Sequence, residues 1–324
     1  MRVTGAVSVL VAGVLAASCS NAGQDRVLGV AAAGTITGLV YFDRNGDGAF
    51  DAGDTIVAGV GVSLIGAGTV DTIAHVKSDT AGAFRFVNVP VGTITVAVDS
   101  TVLATQGIHL LQVSAPSVSV TPGDSVSIRV TAGYRQMSIA QARALAIGAK
   151  VFVLGVALNP QPAFGDSTVH IADTATAVIV TRVRALVAVG DSVRWLATRG
   201  TRNGQPTLDN PTVFTLATGA NTPPHAVTSA VAGNASTGTL DAALVNVAHA
   251  KVLDTATVSG NRQLTINDSS GPLAVQLDVV AGFFGPFVAG DTVGATVTVT
   301  GVLVSNGAGA WVLLPRFPGD VVGR

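Results

Sequence analysis

Residues 34–54 read "GTITGLVYFDRNGDGAFDAGD". An alternating apolar run breaks here into a loop dense in acid. Ile36, Val40 and Phe42 are expected to face inward, the period-two pattern of a half-buried strand. The loop then packs Asp43, Asn45, Asp47, Asp51 and Asp54 into twelve residues. Calcium is a hard cation that takes six to eight oxygen ligands, and helix-flanked calcium loops supply them at positions 1, 3, 5, 7, 9 and 12, with glycine at 6. Here Asp43, Asn45, Asp47, the Ala49 carbonyl, Asp51 and Asp54 fill those positions, and Gly48 takes the glycine. Asp54 stands where such loops carry a bidentate Glu. One methylene shorter, it implies lower affinity or a monodentate last ligand. The alternative is an Asx-rich turn between strands, since Asn-Gly and Asp-Gly pairs are common turn formers. Five oxygen side chains at this spacing exceed what a turn requires, so calcium is the preferred reading.

The surrounding sequence supplies strands in place of helices. "AGVGVSLIG", "TIAHVKSD", "AFRFVNV" and "GTITVAVD" repeat the alternation between Gly, Pro and Asp turns, and "SVSVTPGDSVSIRV" is two runs around a Thr-Pro-Gly-Asp turn. About seven short strands in roughly a hundred residues suggest a β-sandwich over residues 34–135. Composition agrees. All 19 acidic residues are Asp and only three of the 18 basic residues are Lys, so the usual surface residues of helices are scarce. Val, Thr, Ala and Gly dominate, which favours strands and turns. The length of 324 residues allows two or three domains, and the net charge of −1 gives no global attraction to nucleic acid or anionic membrane.

The first domain resembles the B-type domain of serine-aspartate repeat surface proteins, relatives of the collagen-adhesin B domains. The likeness is carried by the Asp-x-Asn-x-Asp-Gly loop, the Gly-Val-x-Val-x-Leu strand, the "DTAG" turn and the "VPVGTITV" hairpin, over most of residues 34–100. It implies a Greek-key sandwich in which calcium clamps a strand-to-strand loop.

The N-terminus reads "MRVTGAVSVLVAGVLAASCS": one positive charge at Arg2, an apolar run, then small residues. This is a secretion leader, too short to span a membrane as a mature helix. Cys19 is the only cysteine, so no internal disulfide forms. Its place after "LAAS" resembles a bacterial lipobox, although Ala16 stands where the usual Leu would be. The resemblance implies residues 1–19 as leader and lipidation signal and residues 20–33 as a tether. The expected product is exported across the inner membrane and lipid-anchored in the envelope, at the outer membrane or cell surface. Ordinary leader cleavage nearby, leaving a free thiol, is the alternative.

The second half contains a repeat. "VFVLGV…TVHIADTATAVIV…VAVGDSVRWLATRGTRNGQ" aligns with "VNVAHAKVLD…LTINDSSGPLAVQL…FVAGDTVGATVTVTGVLVSNGAG". Asp173 matches Asp268 after a strand, Gly190-Asp191-Ser192-Val193 matches Gly290-Asp291-Thr292-Val293, and Asn203-Gly204 matches Asn306-Gly307. Five strands per copy fit OB-type barrels, over residues 136–220 and 221–324. "SIAQARALAIG", capped by Ser138, is a short helix before the first copy, and "HAVTSAVAG" is its counterpart before the second. Both copies resemble the OB-like domains that accompany secreted bacterial nucleases and phosphatases, where the barrel is accessory. The expected fold is thus all-β: a Greek-key sandwich followed by two OB-like barrels.

No catalytic constellation emerges. His75, His109, His170, His225 and His249 form no metal-ligand or His-plus-acid motif, and His170 with Asp173 reads as surface turn chemistry. The first barrel gathers Arg182, Arg184, Arg194, Arg199 and Arg202 near Trp195, and residues 138–218 hold seven basic and four acidic residues. An aromatic among arginines could hold single-stranded nucleic acid, but Trp195 alternates with Arg194 and a lone Trp is no stacking platform. The leading expectation is therefore a non-enzymatic envelope lipoprotein with calcium as its one cofactor. It would contact envelope protein or glycan and reach the membrane through its lipid, with no small-molecule substrate and no nucleic acid. The rival is a secreted accessory protein that binds single-stranded nucleic acid through the Arg-rich barrel.

Overall fold

The structure, a computed structural model, describes residues 33–68, 70–235, 240–283 and 292–323. The leader, Cys19, nearly all of the tether, and Gly290 and Asp291 of the repeat lie outside these residues. Contacts divide the chain into two compact units. The described part of the first comprises residues 33–42, 56–104 and 112–131; the second comprises 43–55, 105–111 and 132–323.

The first half of the chain folds into nine strands: β1 (Ala33–Asp43), β2 (Thr55–Ile56), β3 (Gly61–Gly66), β4 (Thr72–Lys77), β5 (Ala83–Pro90), β6 (Gly92–Asp99), β7 (His109–Val113), β8 (Ser117–Val120) and β9 (Ser125–Gly133), with a short helix α1 (Thr101–Thr105). They form two sheets. One runs β2-β1-β9-β7 with β5 also on β1, and the other runs β4-β3-β6-β8. The inward residues make the core of the first unit, including Ile36, Val40, Val62, Leu64, Phe84, Phe86, Ile128 and Val130. Two points depart from simple alternation. Tyr41, not Phe42, is fully buried, and its hydroxyl accepts from Thr131 Oγ1 at 2.9 Å; Phe42 is half-buried. In β5 a positive φ of 55° at Asn88 slips the phase, so Val89 follows Phe84 and Phe86 inward. The expected seven strands become nine because β2 is only two residues long and "HLLQV" of β7 carries no alternation.

The second half holds α2 (Ile139–Ala144), β10 (Lys150–Ala157), β11 (Val169–Ala172), β12 (Ala177–Thr181), β13 (Ser192–Arg202) and β14 (Gln205–Ala217). It continues with β15 (His225–Ala226), α3 (Ser229–Gly233), β16 (Leu244–Val258), β17 (Asn261–Asn267), β18 (Pro272–Leu277), β19 (Thr296–Ser305), β20 (Trp311–Leu314) and β21 (Val321–Gly323). β10-β11-β12-β14-β13 close into a barrel, with β12 and β14 parallel and the other pairs antiparallel. β16-β17-β18-β20-β19 repeat that order, ring-closed by β16 on β19, again with the third and fifth strands parallel. Both are OB barrels.

The matched aspartates explain why the repeat is legible. Asp173 accepts the Ile139 N–H at 2.8 Å and Asp268 accepts the Ser229 N–H at 3.1 Å, so each docks the helix preceding its barrel. Ser138 and Gln141 complete a capping box on α2, and Thr228 caps α3. Burial pushes the Asp268 carboxyl up, but hydrogen bonds from Ser270 and Ser229 outweigh it and bring it down to about 2.

The barrels differ in what covers their second and third strands. Val169, Ile171, Val178 and Val180 point into the first barrel's own core. The outward residues Ala172, Ala177 and Ile179 instead join the core of the second barrel, beside Ala243 and Leu244. Every residue of β11 and β12 but Thr181 is therefore buried. On β17 and β18, Leu264, Ile266, Leu273 and Val275 are buried while Gln263, Thr265 and Gln276 stay half-exposed. Polar links frame the seam. Arg143 pairs with Asp241 at 2.6 Å, Arg316 donates to the Leu158 carbonyl at 2.8 Å, and Gln205 Oε1 accepts from Ser305 N at 2.7 Å. No helix among the described residues is long and apolar enough to cross a membrane.

Candidate functional site

The acidic loop leaves β1 at Asp43, which is 2% exposed. Its two oxygens accept backbone N–H groups from Gly46 at 2.6 Å and Gly48 at 2.8 Å. Asn45 Oδ1 accepts from Asp47 N at 2.9 Å, and Asp47 Oδ1 accepts from Ala49 N at 2.7 Å. These Asx turns need left-handed backbone, which Gly46 and Gly48 provide at φ of 76° and 82°. Asp54 ties the loop's end to its start, accepting from Arg44 N at 3.0 Å and Asp51 N at 3.1 Å. Between the remaining carboxylates lies the Asn45 amide, whose Nδ2 donates to Asp47 at 2.9 Å and to Asp51 at 3.3 Å.

The loop thus draws four carboxylates, one amide and the Ala49 backbone into one short turn. Desolvation, then the charges of Asp54 and Asp47, raise the Asp51 carboxyl above its ordinary range, against the Asn45 hydrogen bond. As the side chains stand, no three His, Cys, Asp or Glu among the described residues are grouped to hold a metal ion. The match to a hard cation is in ligand type and order. Each carboxylate oxygen engaged by one N–H keeps a further lone pair, and the repulsion acting on Asp51 is what a divalent cation would relieve. The loop is counted with the second unit, where Arg194 Nη1 donates to the Asn45 carbonyl at 3.3 Å. A cleft of about 250 Å³ opens there, lined by Arg44, Asn45, Asp51 and Asp54 with Thr212 and Phe214 of β14.

The five arginines do not assemble into one patch. Arg194 is engaged with Asn45 and, at 3.4 Å, with Gln136. Arg199 Nε donates to the Arg143 carbonyl at 3.0 Å, and burial followed by the Arg143 charge holds its pKa below the usual arginine value. Arg202 pairs with Asp166 at 2.7 Å. Arg182 and Arg184 are exposed on the β12–β13 connection, with Leu186 protruding beside them at 84% exposure. Trp195 is 0% exposed in the first barrel's core, so its ring offers no face to a base.

His170 corrects the reading of surface turn chemistry: it is 2% exposed. Its strand is covered on both faces, as the unbroken "VHIA" and "AVIV" runs signal in place of alternation. Asp173 does belong to a turn, accepting from Ala175 and Thr176 N–H at 2.9 Å each.

No protein-family model matches the chain, and a search of curated proteins gave no match. Among solved structures, the chain is similar to a murine DNA-binding protein bound with double-stranded DNA, at 11% identity over 53% of this chain and 97% of that one, with a TM-score of 0.30. It is also similar to a HINa domain in complex with a 20-base-pair duplex, at 12% identity over 56% and 97%, TM-score 0.29. A third likeness is to a mutant shaft pilin SpaA from Lactobacillus rhamnosus GG, at 8% identity over 57% and 95%, TM-score 0.21. Likenesses this slight carry no inference about ligand or activity.

Proposed function

We propose that the chain is a non-enzymatic envelope lipoprotein, a binding and structural module clamped by calcium at its acidic loop. The observation that carries this reading is the burial of β11 and β12 under the second barrel. OB barrels take oligonucleotides and oligosaccharides on the face of their second and third strands. In the first barrel that face is occupied from within the chain. What remains for a partner is the half-exposed outer face of β17 and β18 on the second barrel, where Gln263, Thr265 and Gln276 stand. Asp43, Asn45, Asp47, Asp51 and Asp54, with the Ala49 carbonyl, would hold calcium, which supplies charge neutralisation and stiffening rather than chemistry. Cys19 would carry the lipid, and the partner would be envelope protein or glycan. The motif likeness to serine-aspartate repeat B-type domains supports the clamp, and the likeness to OB-like domains of secreted enzymes supports the accessory role of the barrels.

A second reading keeps one observation in its favour. Arg182 and Arg184 are exposed, and neither has a hydrogen bond or ion pair among the described residues. They could meet the phosphates of a single strand, although Arg194, Arg199, Arg202 and Trp195 are engaged elsewhere. Membrane fractionation separates the readings when combined with oligonucleotide titration. A lipoprotein module partitions to the envelope through Cys19 and ignores oligonucleotides; an accessory binder stays soluble and retains them in a salt-sensitive way.

A further inference from the structure

The seam between the barrels holds a pocket of mixed polar and apolar lining, apart from the acidic loop. It measures about 60 Å³ and is lined by, among others, Asp166, Thr168, His170 and Gln205 of the first barrel and Ser305 and Leu314 of the second. His170 and Gln205 are each 2% exposed. The Asn159 amide nitrogen donates to the carbonyls of Pro160 and Thr168 at 3.0 and 3.1 Å, which turns its oxygen toward His170. That oxygen accepts the His170 backbone N–H at 2.7 Å and lies 3.0 Å from Nδ1. An amide oxygen only accepts, so Nδ1 carries the ring proton and Nε2 presents a bare lone pair. Gln205 Oε1 is taken by Ser305 N, so its Nε2 presents donors. Neither Nε2 has a hydrogen-bond partner among the described residues.

One buried acceptor and one buried donor thus belong to residues that line the same pocket. Its other polar groups are engaged: Thr168 Oγ1 donates to Asp166 Oδ1 at 2.6 Å, and Arg202 donates to Asp166 Oδ2 at 2.7 Å. A water site needs roughly 10–15 Å³ by this measure and two to four polar partners, so the pocket has room for at least one. We propose that the pocket is a structural water site, bridging Gln205 Nε2–H to His170 Nε2, and that it makes the barrel seam acid-labile. A neutral molecule that both accepts and donates satisfies the pair. A metal ion does not, because the Gln205 Nε2 offers donors and no lone pair.

Acid lability follows from what surrounds the imidazole. The charged groups facing it are Asp166 on the β10–β11 connection and Arg202 on β13; β19 and β20 contribute only Val304, Ser305 and Leu314, and the Phe164 ring stands edge-on at 6.0 Å. Burial pushes the His170 pKa down to about 4, Asp166 raises it and Arg202 lowers it. The folded value lies below the unfolded one, so the neutral form holds the seam. The contribution is complete above about pH 6.5, falls as pH drops toward 4 and is flat below that. From pH 7 to pH 5 the open-seam population rises by about 20-fold.

The test uses the full chain in two measurements. A crystal structure or water-to-amide NMR transfer reads the site, and amide exchange of Ser305 reads the seam, normalised to barrel-core amides such as Val153. The expected result is an ordered water within hydrogen-bonding distance of both nitrogens, and a Ser305 protection ratio that falls about 20-fold between pH 7 and 5. His170→Phe, which fills the pocket without titrating, should abolish the fall. Should that variant not fold, direct NMR titration of wild-type His170 replaces it, with a neutral Nδ1–H tautomer expected down to pH 5. A dry pocket, a His170 that titrates near 6.5, or a pH dependence unchanged in His170→Phe each overturns the proposal.

Discussion

Replacing Asp241 with alanine removes the carboxylate that Arg143 meets at 2.6 Å, where the two side chains are 8% and 1% exposed. Arg143 lies on α2 at the start of the first barrel, and Asp241 precedes β16 of the second. The guanidinium also donates Nη1 to the Ala177 carbonyl at 2.6 Å, so it is held in place after the substitution with its charge uncompensated. Removing one partner of a buried ion pair costs about 3–5 kcal/mol, whereas replacing both with apolar residues is often neutral. Asp241→Ala should therefore destabilise the second unit by roughly 4 kcal/mol. Arg143→Met/Asp241→Leu should recover most of that loss. Urea unfolding followed by Trp fluorescence checks it, since Trp195 sits in one barrel core and Trp311 in the other. With a slope near 2 kcal/mol/M, the single substitution moves the midpoint down by about 2 M. A shift under about 0.5 M, or a double variant as unstable as the single ones combined, would refute the buried-seam reasoning.

Calcium should raise the melting temperature of the chain, with affinity of roughly 10⁻⁴ to 10⁻³ M because Asp54 is short, and Asp47→Ala should abolish the rise. Calorimetric scans with and without the ion decide this, and wild type insensitive to tens of millimolar calcium would remove the clamp. Cys19→Ala should move the protein from the membrane to the soluble fraction, and unchanged detergent partitioning would reject lipidation. Asp173→Ala and Asp268→Ala should each cost about 1–2 kcal/mol by loosening α2 and α3. Because the Asp268 carboxyl is depressed to about 2, its contribution is present above pH 3.8 and lost as pH falls through 2; an acid titration in which wild type and Asp268→Ala lose stability in parallel there would contradict this.

Much of the architecture was legible because local chemistry dictated it. Alternation marked β1, β3, β5 and β6, while Ser138 with Gln141 marked α2. Asp173 and Asp268 marked the repeat because each has the same task at a helix N-terminus. Alternation does not place Phe42 correctly because Tyr41, a polar-tipped ring, finds Thr131 inside the sandwich and takes the buried position. The seam was less visible. "VHIA" and "AVIV" carry the signature of two-sided burial, yet short apolar runs do not say which distant surface covers them. The partners of the arginines were hidden for a related reason. Their spacing suggests a patch, but their partners, Asp166, the Arg143 carbonyl and the Asn45 carbonyl, lie from 36 to 149 residues away in sequence.

The central claim is that the first barrel's ligand face is closed by the second, so that its arginines hold no single strand. Fluorescence anisotropy of a short labelled single strand, titrated with the full chain across a salt series, tests this most directly. If Arg182 and Arg184 held phosphates, affinity would fall by about 0.7 log units per contact for each decade of salt. The account predicts no binding at physiological salt and no quenching of the buried Trp195. Micromolar, salt-sensitive binding that is lost on replacing Arg182 and Arg184 would contradict it.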